Sequence, residues 1–414
     1  MENKHTLQEL KQWQALPLSV KVLMTCTRIR GWVHEYGEDG VYVSFSGGKD
    51  STVLLHLVRE ECGFKNVPAV FVDVPTQYPE LRDFAKTFDN VEILKPKISF
   101  MEVCERYGFP LISKEVSGAL YEAKNYFTKV KAERSNLTDR QTDRQIAGYW
   151  AFADVVGIPK RQGAQHGETY QNLKKGIIPS EYDYLFEEGK ARGDVPVRAK
   201  IIFGQLEHKE KGVLTGEYSK RYDKSKYKFM LDADFMVSDK CCKVMKKAPA
   251  HEYAKRTGRW PMTAQMADES QLRTQKWLQY GCNGFQMKSP ISNPMSFWTE
   301  NDVLQYIAEN NLPICSVYGE VVEDFGDEID GQMDISDLGW GETQKKYKTT
   351  GCKRTGCMLC GFGCHLEKSP NRFEMLKETH PGMYGMLDRV KNNGVTMREA
   401  IEWVNEHGNM DIKL

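Results

Sequence analysis

Six consecutive residues, Ser46-Gly47-Gly48-Lys49-Asp50-Ser51, carry the densest chemistry in the sequence. Two successive glycines let a turn aim its backbone N–H groups into one concavity, with no Cβ to hold an anion away. Lys49 adds a full positive charge, Ser46 and Ser51 add hydroxyl donors, and Asp50 is placed to help hold a magnesium ion. A helix starting at this turn would add its positive end. The chemistry is phosphate binding. A Walker-type loop needs Gly-x4-Gly-Lys followed by Ser or Thr; here Asp50 follows the lysine, so this loop is of another kind.

Cysteines form the second constellation. Cys241 and Cys242 are adjacent, and Cys352, Cys357, Cys360 and Cys364 are interleaved with Gly351, Gly356, Gly361 and Gly363. Glycines around a Cys-x2-Cys let the backbone fold about a metal and point N–H groups at the sulfurs. Four thiolates also suit tetrahedral zinc. Adjacent cysteines are awkward ligands for one tetrahedral ion but can serve different irons of a cube, which favours a cluster. Two ligand sets stand open: Cys241, Cys242, Cys357 and Cys360, or Cys352, Cys357, Cys360 and Cys364. An odd total of eleven cysteines argues against a disulfide framework. Cys26, Cys62 and Cys104 read as ordinary buried thiols, and His166, His251, His365 and His380 as ordinary surface or core residues.

The elements that must position this chemistry are legible too. Thr6-Leu7-Gln8-Glu9 is a capping box, and a second helix follows Pro17 with Val22, Cys26, Ile29, Val33 and Tyr36 as its apolar stripe. Val41 to Phe45 reads as a strand, Thr52 to Val58 as a helix and Gly63 as its C-cap. The pattern repeats: strand Val67 to Val74, helix Glu80 to Phe88, strand Val91 to Lys95, helix Phe100 to Tyr107 stopped by Gly108. Such alternation means βαβ units and an α/β fold, a parallel sheet with helices on both faces. Ligands of such sheets sit beyond the carboxyl ends of the strands, where both the glycine-rich loop and Asp73 fall.

The boundaries expected are N-terminal helices over 1–38, a nucleotide-binding α/β domain over 39–300 and a helical, cysteine-rich region over 301–414. A largely helical insertion at about 120–228 interrupts the α/β domain, and within it Lys220 to Lys228 is basic with interleaved tyrosines. Thr299 caps a helix carrying Val303, Leu304 and Ile307, and Thr396-Met397-Arg398-Glu399 starts a last helix ending at Gly408. Glu320 to Asp337 is an acidic stretch without the alternating carboxylates of a calcium loop.

With 57 basic and 57 acidic residues in 414, no global field draws the chain to nucleic acid or to a membrane. There is no run of eighteen apolar residues and no apolar signal core after Met1, so a cytoplasmic protein with no membrane partner is expected.

The loop Ser46 to Ser51 resembles the PP-loop of ATP pyrophosphatases and of phosphoadenosine-phosphosulfate (PAPS) reductases. Val70-Phe71-Val72-Asp73 with Tyr78-Pro79-Glu80 is similar to the second-strand segment of the PAPS reductase family. Ala267 to Arg273 resembles its Glu-Ser-x-x-Arg stretch, and Phe297 to Val303 its Trp-Thr-x-x-Asp-Val helix start. The likeness covers roughly 40–115 and 230–375. It implies an adenine nucleotide alpha-hydrolase-like, Rossmann-like fold and a nucleotide site made of Ser46, Gly47, Gly48, Lys49, Asp50, Ser51, Asp73, Glu269, Ser270 and Arg273. Within that site Lys49, Asp50 and Arg273 would be catalytic.

Lys240 to Pro249 resembles the Cys-Cys segment of adenylylsulfate (APS) reductases, and Cys357-Met358-Leu359-Cys360 matches their later Cys-x2-Cys. This implies Cys241, Cys242, Cys357 and Cys360 as ligands of a 4Fe-4S cluster. Sulfonucleotide reductases also carry a nucleophilic cysteine near the carboxyl terminus, and no cysteine follows Cys364.

Three functions follow as expectations. The first is adenylation of a substrate with ATP and Mg2+, yielding AMP and pyrophosphate, for sulfur transfer; nucleic acid or a partner protein would supply the acceptor or the sulfur. The second is a PAPS or APS reductase releasing sulfite with a thiol such as Cys282 or Cys315. The third is a nucleotide and iron–sulfur sensor without turnover. Oligomerisation is compatible with all three.

Overall fold

The computed structural model describes residues 3–134, 196–204, 206–210, 213–325 and 345–414. Contacts divide the chain into one unit of Met1–Ser99 with Cys242–Met358 and a second of Phe100–Cys241 with Leu359–Leu414.

In the first unit, α1 (Leu7–Gln14) starts at Thr6, whose hydroxyl accepts from the Glu9 N–H while the Glu9 carboxylate accepts from the Thr6 N–H. This is the capping box read from the sequence. Helix α2 (Leu18–Tyr36) follows Pro17 and buries Cys26, Ile29, Trp32 and Val33. Strands and helices then alternate: β1 (Val41–Phe45), α3 (Lys49–His56), β2 (Ala69–Val72), α4 (Pro79–Ala85) and β3 (Val91–Leu94). Helix α3 runs on as a π-turn, Leu57–Glu61, before Gly63 takes φ +80°. Later, α5 (Ala248–Thr257) leads into β4 (Trp260–Met262).

All four strands are parallel, in the order β3-β2-β1-β4, with Val43 opposite both Ala69 and Met262 and Phe45 opposite Phe71. Side chains alternate between the two faces of the sheet. Val41, Val43, Phe45, Phe71 and Met262 join a core with Ile29 and Trp32 of α2 and Val53 and Leu54 of α3. Tyr42 and Val70 point the other way and pack with Tyr253 of α5. Helices therefore cover both faces, which explains why these strands are apolar at nearly every position. The α/β fold is the one expected.

Helices α6 (Gln271–Tyr280) and α7 (Glu300–Glu309) and the antiparallel pair β5 (Val321–Glu323) and β6 (Tyr347–Thr349) complete this unit. Helix α7 begins at Thr299 in a capping box closed by Asp302. Asp302 also receives Lys21 Nζ of α2 at 2.7 and 2.8 Å, and both side chains are fully buried. The start of α7 is thus fixed to α2 by a desolvated ion pair that already satisfies the helix cap.

In the second unit, helix Phe100–Tyr107 ends at Gly108, φ +91°, where a Cβ would stand 2.2 Å from the Met236 carbonyl oxygen. Only glycine fits there. The region read as an insertion holds helices Lys114–Arg134 and Val197–Ile202 together with an antiparallel hairpin, Glu207–Glu210 against Val213–Tyr218. Lys220 to Lys228 forms short 3-10 turns, with Tyr227 buried and most of its charges exposed. The last helix, Met397–Gly408, starts at the Thr396 capping box and is closed by Asn409 in the left-handed conformation. Residues 326–337 of the acidic stretch and His166 lie outside the described residues. Among the described residues no helix is long and apolar enough to cross a membrane.

Candidate nucleotide site

The loop leaves β1 at Phe45 and enters α3 at Lys49, so its N–H groups and the first turn of α3 share one end of the sheet. Gly47 takes φ +70°, and a Cβ there would stand 2.9 Å from the Leu81 carbonyl oxygen of α4. Both the conformation and the close approach require glycine. The two serines hold the loop together. Ser46 N–H donates to Ser51 Oγ at 3.2 Å, Gly48 N–H donates to Ser46 Oγ at 3.3 Å, and Ser51 Oγ–H donates to the Gly48 carbonyl at 2.9 Å. Their hydroxyls, read from sequence as donors to phosphate, are engaged within the turn.

Lys49 is buried at the start of α3. Its ammonium donates to the Lys353 carbonyl at 3.0 Å and pairs with the Glu300 carboxylate at the first position of α7. Glu300 is half-exposed, 48% against 5% for Lys49, so the pair is open to solvent on the glutamate side. Asp50 Oδ1 is buried without a hydrogen-bond partner among the described residues. Burial raises the Asp50 carboxyl above its usual range; the Lys49 charge opposes this, Glu300 adds to it, and Arg354 and Arg273 oppose it. Its buried, unpartnered oxygen is the kind of hard donor that a divalent cation takes.

Arg273 reaches the same field from α6. Ser270 caps that helix, its Oγ accepting from the Arg273 N–H at 3.3 Å, and the Arg273 guanidinium pairs with Glu269. Burial lowers the affinity of Arg273 for its proton, Asp50 works against that, and Arg354 adds to it. Arg273 also lines a pocket of about 70 Å³ with Met266, Lys276, Trp277 and Tyr280. Asp73 lies just past β2, nearly buried, 3.7 Å from Arg82 of α4.

Sequence reading missed the far wall of the loop. Tyr318 is buried, its hydroxyl 2.6 Å from Thr355 Oγ1. A Cβ on Gly48 would lie 3.2 Å from that hydroxyl and 3.8 Å from Thr355 Oγ1. Burial, above all, pushes Tyr318 up to about 12, so it faces the loop as a neutral hydroxyl. Glu300, Tyr318, Lys353 and Thr355 come from 250 to 310 residues downstream of the loop, and no local pattern joins them to it. The one available signal for Glu300 was its place in the Trp298-Thr299 helix start.

The cysteines are not gathered in this way. All eleven are free thiols. Cys241 and Cys360 belong to the second unit, Cys242 and Cys357 to the first. Cys364 is buried, which pushes its thiol up to about 12, and its Sγ–H donates weakly to the Cys360 carbonyl at 3.5 Å. Arg372 Nη1 donates to the same carbonyl at 2.8 Å. Among the described residues no group of three or more His, Cys, Asp or Glu side chains stands ready to hold a metal ion.

A family model described as the phosphoadenosine phosphosulfate reductase domain matches residues 40–150 and 186–361. Comparison with curated proteins finds no match. Among solved structures, the chain is similar to the phosphoadenylyl-sulfate (PAPS) reductase from Candida auris in its phosphate complex. The identity is 12% and the TM-score 0.30, over 83% of this chain and 98% of that one. That likeness is too remote to bear on the site.

Proposed function

Since this chain belongs to the phosphoadenosine phosphosulfate reductase domain family, we propose that it binds ATP at the loop Ser46 to Ser51 and transfers the adenylyl group to an acceptor for sulfur transfer. One observation carries the proposal: a buried lysine at a helix start, beside a carboxylate with an unpartnered oxygen and within the field of Arg273. A triphosphate with a divalent cation meets both groups at once. Phosphate oxygens take the place of Glu300 at Lys49, and the cation meets Asp50. The N–H groups at the head of α3 and Lys49 then stabilise charge on the departing pyrophosphate, which is where catalysis of such transfers mostly lies. Nucleic acid or a protein partner is the acceptor class.

A second reading, reduction of a sulfonucleotide with release of sulfite, is favoured by the family itself. The 4Fe-4S cluster is proposed on donor chemistry alone, from the free thiols Cys241, Cys242, Cys357 and Cys360. Among the described residues no group of three or more such donors stands together, so no step of the reaction is routed through a cluster. When bound, such a cluster would supply sulfur or electrons.

Anaerobically prepared protein incubated separately with ATP, APS and PAPS separates the two readings. Pyrophosphate from ATP in the presence of an acceptor is expected, with AMP released once a sulfur nucleophile displaces it; sulfite at ordinary enzyme rates from APS or PAPS would replace adenylation with reduction.

A further inference from the structure

We infer that Arg354 is a specificity-determining residue that reads the anionic tail of the nucleotide beyond its α-phosphorus. The inference rests on the nucleotide-binding reading of the loop. Both neighbours of Arg354 are held against that loop. The Lys353 carbonyl accepts from Lys49 Nζ at 3.0 Å, and Thr355 Oγ1 lies 2.6 Å from the Tyr318 hydroxyl that faces Gly48. The backbone of Arg354 is therefore pinned on both sides, while its side chain is exposed.

The charges divide in a telling way. Lys49 is paired with Glu300 and Arg273 with Glu269. Arg354 has no ion-pair partner among the described residues, yet its charge is felt by both Asp50 and Arg273. It is the uncommitted cation of the group. A guanidinium presents a planar fork of donors that matches two oxygens of a tetrahedral anion, so a terminal phosphate or a sulfonate is the group it suits. AMP carries no tail beyond its α-phosphorus and leaves Arg354 unused.

Calorimetry on the full chain tests this with ATP and magnesium, AMP and PAPS as probes, on wild type, Arg354→Ala and Arg354→Lys. Arg354→Ala should weaken ATP or PAPS about 10- to 100-fold, the worth of a charge-assisted contact, and AMP by no more than about twofold. Arg354→Lys should recover part of the loss. A loss confined to ATP assigns the tail to a polyphosphate, and one confined to PAPS assigns it to a sulfonate; either upholds the role. Equal losses for AMP and the tailed nucleotides, or none, overturn it while nucleotide binding stands. A wild type that binds none of the three overturns the nucleotide reading and this inference with it.

Discussion

Around the phosphate loop, order is built before any ligand arrives. Glycine conformations, two serines bonding within the turn and a lysine buried against Glu300 and Lys353 fix the loop, and every partner belongs to one unit. The cysteine segments are organised otherwise. Their four candidate thiols are shared between the two units, and among the described residues no three donors stand together. A phosphate site made of backbone N–H groups and one lysine needs only a local turn. A cluster site draws its ligands from separate segments, and the metal's own binding free energy is what gathers them.

The largest effect expected from this contrast is all-or-none. Anaerobically purified protein should contain iron and sulfide, and Cys357→Ser should lose them entirely while Cys352→Ser keeps them. Stoichiometric zinc without iron would end the cluster proposal, and loss of iron in Cys352→Ser would move the ligand set to Cys352, Cys357, Cys360 and Cys364. Next in size is Asp302→Ala, which leaves Lys21 charged and buried without a partner. It should cost about 3–5 kcal/mol of stability, read by denaturant unfolding; a loss near zero would mean the start of α7 is held by something else. Smallest is Lys49→Ala. Removing one charge-assisted contact should weaken adenine-nucleotide binding by about 1.5–3 kcal/mol with the fold intact, and unchanged affinity by calorimetry would undo the reading of the loop.

Legibility followed the same divide. Strand β1, the loop, α3 and the caps at Thr6, Thr299 and Thr396 were readable because each is specified by residues within one or two turns of itself. The roles of Ser46 and Ser51 were harder, since a hydroxyl that could meet phosphate can equally close its own turn, and the folded loop takes the second course. Tyr318, Lys353 and Thr355 were out of reach, since tertiary folding alone brings them to the loop, and Glu300 had only its place in a helix start to mark it. Asp50 shows how physics adds to pattern. Its type suggested a metal ligand, but the burial that leaves Oδ1 unpartnered belongs to the packed site.

Leu81 and Arg82 are consecutive on α4. The first roofs Gly47 so closely that a methyl group would collide with its carbonyl, and the second faces Asp73 across 3.7 Å. The loop and the end of the second strand are thus geared together through a single turn of helix. A displacement of that turn would disturb both contacts at once. A substitution at Leu81 or Arg82 that shifts this turn would therefore be felt both at the loop, where Gly47 has no room to give, and at Asp73.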